Sequence, residues 1–384
     1  MENKLLSSAM KTGTVGACLL GLPLAVCAAE VQISGQVDTY LESYTAGDQT
    51  TTRLSSGGAG GGSRVTFSAT ETISGSTQAF VRLEMGVLMD EGISTGNSSY
   101  IFEREALVGV RGDFGSLSFG RQYTPHFLSL PMNEAAGQSL GSAIGAFGTP
   151  AYVSTNGIGL AKNGLTGARW ATTRMDNSIV YSTPNFSGFT GTVMVALGEQ
   201  SYQDGNGETA QSNSRGNFYN VGARYVRGAF SGNVSVALWD NPVVGGYTFE
   251  NIWFGSLSAA YDFGSAKLHA NFVFRDSEDE MAPGLWAAAL GVSVPLSAGK
   301  IIVTGGYLHN TSIENADGVS WGVRYDYPLS RTTFVYAGAF GVHNQDNANF
   351  VLAGGGGSSK PPAMATEETG LGNHMFFVGM NHRF

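Results

Sequence analysis

Cysteine, charge and long apolar runs are all scarce in this sequence. Its two cysteines, Cys18 and Cys27, both lie in the first 29 residues. The rest of the chain can therefore form no disulfide, thiolate zinc site or cysteine nucleophile. Only 13% of residues are charged, against roughly 25% in a soluble domain. A soluble globule of 384 residues could not cover itself with so few charges. After Glu30 no apolar run approaches the ~18 residues of a membrane helix. No basic domain is present to attract nucleic acid. The six histidines give no HExxH pair, and no GxSxG elbow occurs. The glycine-rich "GAGGGS" (58–63) and "AGGGGSS" (353–359) lack the Lys-Ser/Thr ending of a phosphate loop and read as flexible connections. The acidic "DSEDE" (276–280) could hold a divalent cation, although a solvated charge run accounts for it more simply.

The first 29 residues stand apart. Lys4 and Lys11 precede the apolar run "VGACLLGLPLAVCAA", which ends in small residues just before Glu30. This is the pattern of a secretory signal peptide, with cleavage expected after Ala28 or Ala29. A membrane anchor is the competing reading, but the run falls short of the ~20 residues a span needs. A lipoprotein cut before Cys27 would place bulky Val26 where a small residue is usual. The whole chain carries a formal charge of -9, and the leader contributes +1, which leaves -10 for residues 30–384.

What fills those residues is short alternation. "SRVTFSATETI" puts Val65, Phe67 and Ala69 on one face and Arg64, Thr66, Ser68 and Thr70 on the other. "GTVMVALGE", "GNVSVALWD", "AKLHANFVFRD" and "KIIVTGGYL" behave alike. Period two over this length predicts half-buried strands. Tight turns are expected at 73–77, 112–116, 185–189, 227–230, 262–266, 295–299 and 327–331. Long polar loops are expected at 45–62, 89–98, 125–172, 200–215, 241–250, 276–284, 311–317 and 344–372. Fifteen connections join sixteen strands.

Turns of one length on one side and long loops on the other are the plan of a membrane barrel. The bilayer core offers no hydrogen-bond partners, so strands crossing it must close into a ring. The expected fold is all-β, a sixteen-stranded antiparallel transmembrane β-barrel over residues 30–384. Lipid takes the apolar face and an aqueous lumen the polar one, which explains a mean hydropathy of only -0.02. In the final "NHMFFVGMNHRF", Phe376, Val378, Met380 and His382 share one face. That strand should pair with "VQISGQVDTYLESY" (31–44) to close the ring.

Three blocks then carry a resemblance: "REALVGVRGDFGSLSFGRQYTP" (104–125), "NSIVYSTPNFSGFTG" (177–191) and the terminal "FFVGMNHRF". The chain resembles the trimeric general diffusion porins of Gram-negative outer membranes. The resemblance implies a passive channel for small hydrophilic solutes and ions, exported to the outer membrane, with lipid and lipopolysaccharide around a homotrimer. It implies no enzyme activity and no cofactor or metal. It also implies a third loop, 125–172, folded into the lumen opposite a ladder of wall arginines. Those arginines carry over as Arg64, Arg104 and Arg174, with Arg121 as a further candidate. The parity of Thr66 and Ser68 supports Arg64, whereas Ala106, Val108 and Val110 leave Arg104 ambiguous. The third loop bears Glu134 as its sole acid, with Lys162 and Arg169 as bases. A positive neck and anion preference are the expectation, since rings of Arg and Lys favour anions. The alternatives are a barrel enzyme (phospholipase or protease), which would need a Ser–His or Asp–His group at its rim, and an adhesin or receptor barrel with a closed lumen.

Overall fold

The computed structural model describes residues 29–95, 101–147, 173–198, 200–203, 209–212, 215–244, 247–277, 284–352 and 368–384. Lys162, Arg169, most of "DSEDE" and the leader lie outside the described residues. Sixteen antiparallel strands form one closed ring. They are β1 (Glu30–Ala46), β2 (Gln49–Ser56 and then Arg64–Ser74), β3 (Thr77–Leu88), β4 (Glu105–Gly112), β5 (Gly115–Tyr123), β6 (Arg174–Ser182), β7 (Phe189–Ala196) and β8 (Phe218–Arg227). The ring continues through β9 (Phe230–Trp239), β10 (Ile252–Asp262), β11 (Lys267–Asp276), β12 (Leu285–Leu296), β13 (Gly299–Asn310), β14 (Gly318–Pro328), β15 (Thr333–Asn344) and β16 (Asn373–Arg383).

Closure runs from Gln36 opposite Arg383 to Ala46 opposite Asn373. Phe384 adds a reciprocal backbone pair with Gly35, at 3.0 and 3.1 Å. All seven expected tight turns join strands where they should. Gly228 (φ 57°) and Gly264 (φ 84°) adopt the left-handed backbone that such turns require.

Polarity is inverted relative to a soluble protein. Phe376, Val378 and Met380 of β16 face outward, while Met375 and Phe377 are buried inside. Leu290 on β12 is 70% exposed, yet Asn220, Ser256, Asn271 and Asn381 are buried on the inner wall. A hydrocarbon solvent outside and a polar interior account for both observations.

Two expectations require correction. The segment 45–62 is not one long loop: Gly47 and Asp48 make a tight turn, and Gln49–Ser56 pairs with the upper half of β1. Arg64–Ser74 then pairs with the lower half of the same strand, Glu30–Gln36. Residues 57–63 are an inward excursion that interrupts β2, and glycine there serves close packing rather than slack. Residues 348–352 of the last loop also turn inward, with Phe350, Val351 and Leu352 buried and the Leu352 N–H donating to Tyr44 Oη at 2.8 Å.

The third loop lies inside the barrel as far as it is described. It opens with helix α1 (Pro125–Ser129), whose N-cap Thr124 accepts the Phe127 N–H at 3.1 Å. The His126 N–H donates to Asn220 Oδ1 at 2.7 Å, which holds α1 against β8. Asn133 takes a bond from Ser231 of β9 at 2.6 Å, and its amide donates to Ser258 Oγ of β10 at 3.1 Å. Thr304 of β13 donates to the Gly141 carbonyl and Ser320 of β14 to the Ala143 carbonyl, both at 2.7 Å. Leu140, Ile144 and Ala146 are fully buried there, beside Phe340 and Phe377. Small polar wall residues thus satisfy the loop backbone and fasten its described part to β8–β14, and that part leaves the β2–β6 wall uncovered.

Candidate functional site

Strand alternation turns Phe80, Arg82, Glu84 and Gly86 of β3 to the lumen, and Thr66 and Arg64 of β2 stand opposite Glu84 and Gly86. Glu84 is the hub of this wall. Its Oε1 accepts Arg104 Nε at 2.7 Å, and its Oε2 accepts Arg82 Nη2 at 2.7 Å and Thr66 Oγ1 at 2.9 Å. Arg64 Nε stands 3.7 Å from the same carboxylate. Arg82 Nε also pairs with Glu105 of β4. Arg104 Nη2 donates to Tyr123 Oη at 2.7 Å, and Arg174 donates to the same oxygen from the other side. The Arg174 guanidinium lies over the Tyr123 ring, 4.1 Å from its centroid, an arrangement worth about 0.5–2 kcal/mol.

The structure therefore brings together Arg64, Arg104 and Arg174, the three positions onto which the resemblance carried the wall arginines. Arg104 escapes the outward parity of Ala106 and Val108 because it precedes β4 and is held by a backbone bond, its N–H donating to the Glu84 carbonyl at 3.2 Å. Arg82, Glu84, Glu105 and Tyr123 are members of the cluster that sequence reading missed. A signal was available: in "FVRLEMGV" two charges stand two residues apart, and charge facing lipid at mid-bilayer costs ~2–4 kcal/mol for Arg or Lys. Both must then face water.

Arg121 and Glu134 lie elsewhere. Arg121 sits opposite Ala106 at a register shift between Gly120 and Gln122, and pairs with exposed Asp176 at 2.7 Å rather than with the hub. Glu134 is buried on the loop side, accepting the Ala136 and Gln138 N–H groups at 2.9 and 2.8 Å. Burial pushes its carboxyl above the usual range, against those bonds and the nearby charge of Arg324. Arg324 itself donates to Ser139 Oγ and the Leu140 carbonyl, at 2.8 and 2.6 Å, and pins the loop to β14.

Four guanidinium groups stand against three carboxylates, Glu84, Glu105 and Glu103, the last accepting the Gly86 N–H at 2.9 Å beside Arg104, which leaves an excess of one positive charge on this wall. A cavity of ≈ 390 Å³ runs between this wall (Arg82, Glu105, Tyr123) and the loop residues Leu128 and Met132. A second, of ≈ 930 Å³, opens beneath the loop between Glu134 and the turn after β14. The arrangement can pass hydrated solutes and attract negative ones. Among the described residues no cluster of three or more His, Cys, Asp and Glu could hold a metal.

Comparison with known proteins gives the same picture. The model of the Gram-negative porin family matches residues 16–348. Outer membrane porin protein 32 of Delftia acidovorans is 25% identical over 369 residues, covering 94% of this chain and 95% of that protein. Among solved structures, the anion-selective porin from Comamonas acidovorans superposes with a TM-score of 0.73 at 23% identity, over 93% of this chain and 100% of that one. The trimer form of OmpT, an outer membrane protein of Vibrio cholerae, gives 0.60 at 16% identity, over 93% and 100%. Closed barrel, polar lumen and inward loop together with the matching family model place the chain in the Gram-negative porin family, as an outer-membrane diffusion channel rather than an enzyme.

Proposed function

We propose that the channel prefers anions and that its neck is the gap between the wall of Arg64, Arg82, Arg104 and Arg174 and the third loop. The observation that carries this is the guanidinium excess around Glu84, on the wall that the described part of the loop leaves open. Charged groups that line a water-filled constriction set its ion preference. Lys162 and Arg169, on the same loop, would add to the positive field. Glu134 does not oppose it, because its carboxylate is turned into the loop's own backbone. Selectivity for anions in the structurally similar Comamonas protein supports the reading. The working form is a homotrimer of barrels with the leader 1–29 removed, in contact with outer-membrane lipid and lipopolysaccharide.

The test is reversal potential across a planar bilayer with a potassium chloride gradient. The expected sign is that of chloride permeating faster than potassium. A potential of the opposite sign refutes the assignment of the neck and leaves family membership untouched.

A further inference from the structure

We infer that Asp38 is a positioning residue that holds the glycine loop 57–63 back against the barrel wall and so keeps the neck open. This rests on the neck lying beside Arg64, as proposed above. Asp38 is 1% exposed on β1, beside the start of the loop. Its Oδ1 accepts the Gly58 N–H at 2.9 Å and its Oδ2 the Gly60 N–H at 2.8 Å. Tyr336 Oη of β15 donates to Oδ1 at 2.5 Å, and Asn381 Nδ2 of β16 to Oδ2 at 3.1 Å. Four donors on one carboxylate, with no cation paired to it among the described residues, make a fastening, not an ion pair.

The loop returns bonds of its own. Gln36 of β1 donates to the Gly60 carbonyl and, at 3.3 Å, to that of Gly62. Arg64 Nη1 donates to the Gly62 carbonyl at 3.0 Å, so the loop also orients a neck arginine. Ser139 Oγ of the third loop reaches the Ala59 carbonyl at 3.0 Å, and Ala59 and Gly60 border the lower cavity. The loop therefore touches both sides of the neck.

Glycine is required by proximity. A Cβ on Gly58 would strike the Tyr336 hydroxyl, and one on Gly60 the Asn381 amide. Without the carboxylate, Gly58 and Gly60 lose their shared acceptor, and a buried donor left unpaired favours a conformation that returns it to water. The tip of this seven-residue loop is then held only by its weaker bonds from Gln36, Arg64 and Ser139, and its small residues can swing into water beside Arg64.

The experiment compares single-channel currents of the unmodified protein, Asp38→Ala, Tyr336→Phe and a chain with residues 58–62 deleted. Asp38→Ala should add brief closures and lower the mean current, and Tyr336→Phe should do so to a smaller degree. The deletion should give a quiet current larger than that of the unmodified protein, because the segment that closes is gone. Strand content by circular dichroism and heat-dependent gel migration certify assembled barrels. If Asp38→Ala fails to assemble, Tyr336→Phe and the deletion still decide. Quiet, unmodified current in every assembled variant of Asp38 or Tyr336 overturns the inference, as does flicker in the deletion. Reversal potential, recorded in the same traces, reports the arginine wall separately: an unchanged sign with added flicker supports the latch whichever ion the neck prefers.

Discussion

Replacing Glu84 by Gln should strengthen anion preference. The side chain is 1% exposed, and it is the one carboxylate shared by Arg64, Arg82 and Arg104. Glutamine keeps its shape and one acceptor oxygen, but raises the excess on the wall from one positive charge to two. In a water-filled neck a unit charge at ~4 Å contributes about 1 kcal/mol. With ~1.4 kcal/mol per tenfold, the chloride-to-potassium permeability ratio should rise several-fold. Salt dependence follows from geometry. At 0.1 M the Debye length is about 10 Å, so the field spans the gap; at 1 M it is about 3 Å, and the gain should nearly vanish. The assay is reversal potential at both salt levels, with gel migration as the control for assembly. Breaking a buried pair costs roughly 3–5 kcal/mol, so a lower unfolding temperature is expected alongside. An assembled Glu84→Gln barrel whose preference is unchanged or moves toward cations would refute the electrostatic reasoning. So would a gain equally large at 1 M.

Other outcomes follow from the same geometry. Arg64→Gln with Arg174→Gln should lower anion preference, and the two Glu replacements should reverse it, read as a change of sign in reversal potential. Deleting residues 141–147, which lie against β13–β15, should widen the gap and raise single-channel conductance; an unchanged conductance would remove the third loop from the neck. Glu134→Gln should raise thermal stability near pH 7, because burial lifts the folded-state pKa above the ordinary 4.5 and the ionised form is the costly one. That penalty is absent below the unfolded pKa and grows as pH rises toward the folded value. The advantage of the glutamine variant should therefore disappear in acid, as thermal denaturation at pH 3 and pH 7 would show.

Much of the architecture was legible because a membrane barrel imposes one rule on every strand. Alternation at Arg64, Thr66 and Ser68 identified a lumenal face, and turn lengths gave sixteen strands. The rule ceases where the chain leaves the ring. Arg104 precedes β4, so parity was silent about it, and a register shift at Gly120–Gln122 carries Arg121 away from the hub. The segment "GAGGGS" looked like slack, since composition does not reveal that Asp38, Tyr336 and Asn381 crowd around it. Glu84 was readable in principle from its spacing to Arg82, but its role as hub depends on three arginines from three different segments.

The bonds on Asp38 also order events in time. Its partners Asn381 and Tyr336 stand 343 and 298 residues further along the chain. Synthesis delivers β1 and the glycine loop first and β15 and β16 last. Contacts of such long range are paid for in loop-closure entropy and form late. The seam between β1 and β16 must zip before either partner can reach the carboxylate. A half-assembled sheet thus carries the glycine loop unfastened, and a finished aperture exists only once the last strand is in place. Bore and closure are one event, so a barrel that has not sealed against lipid has not yet set its hole.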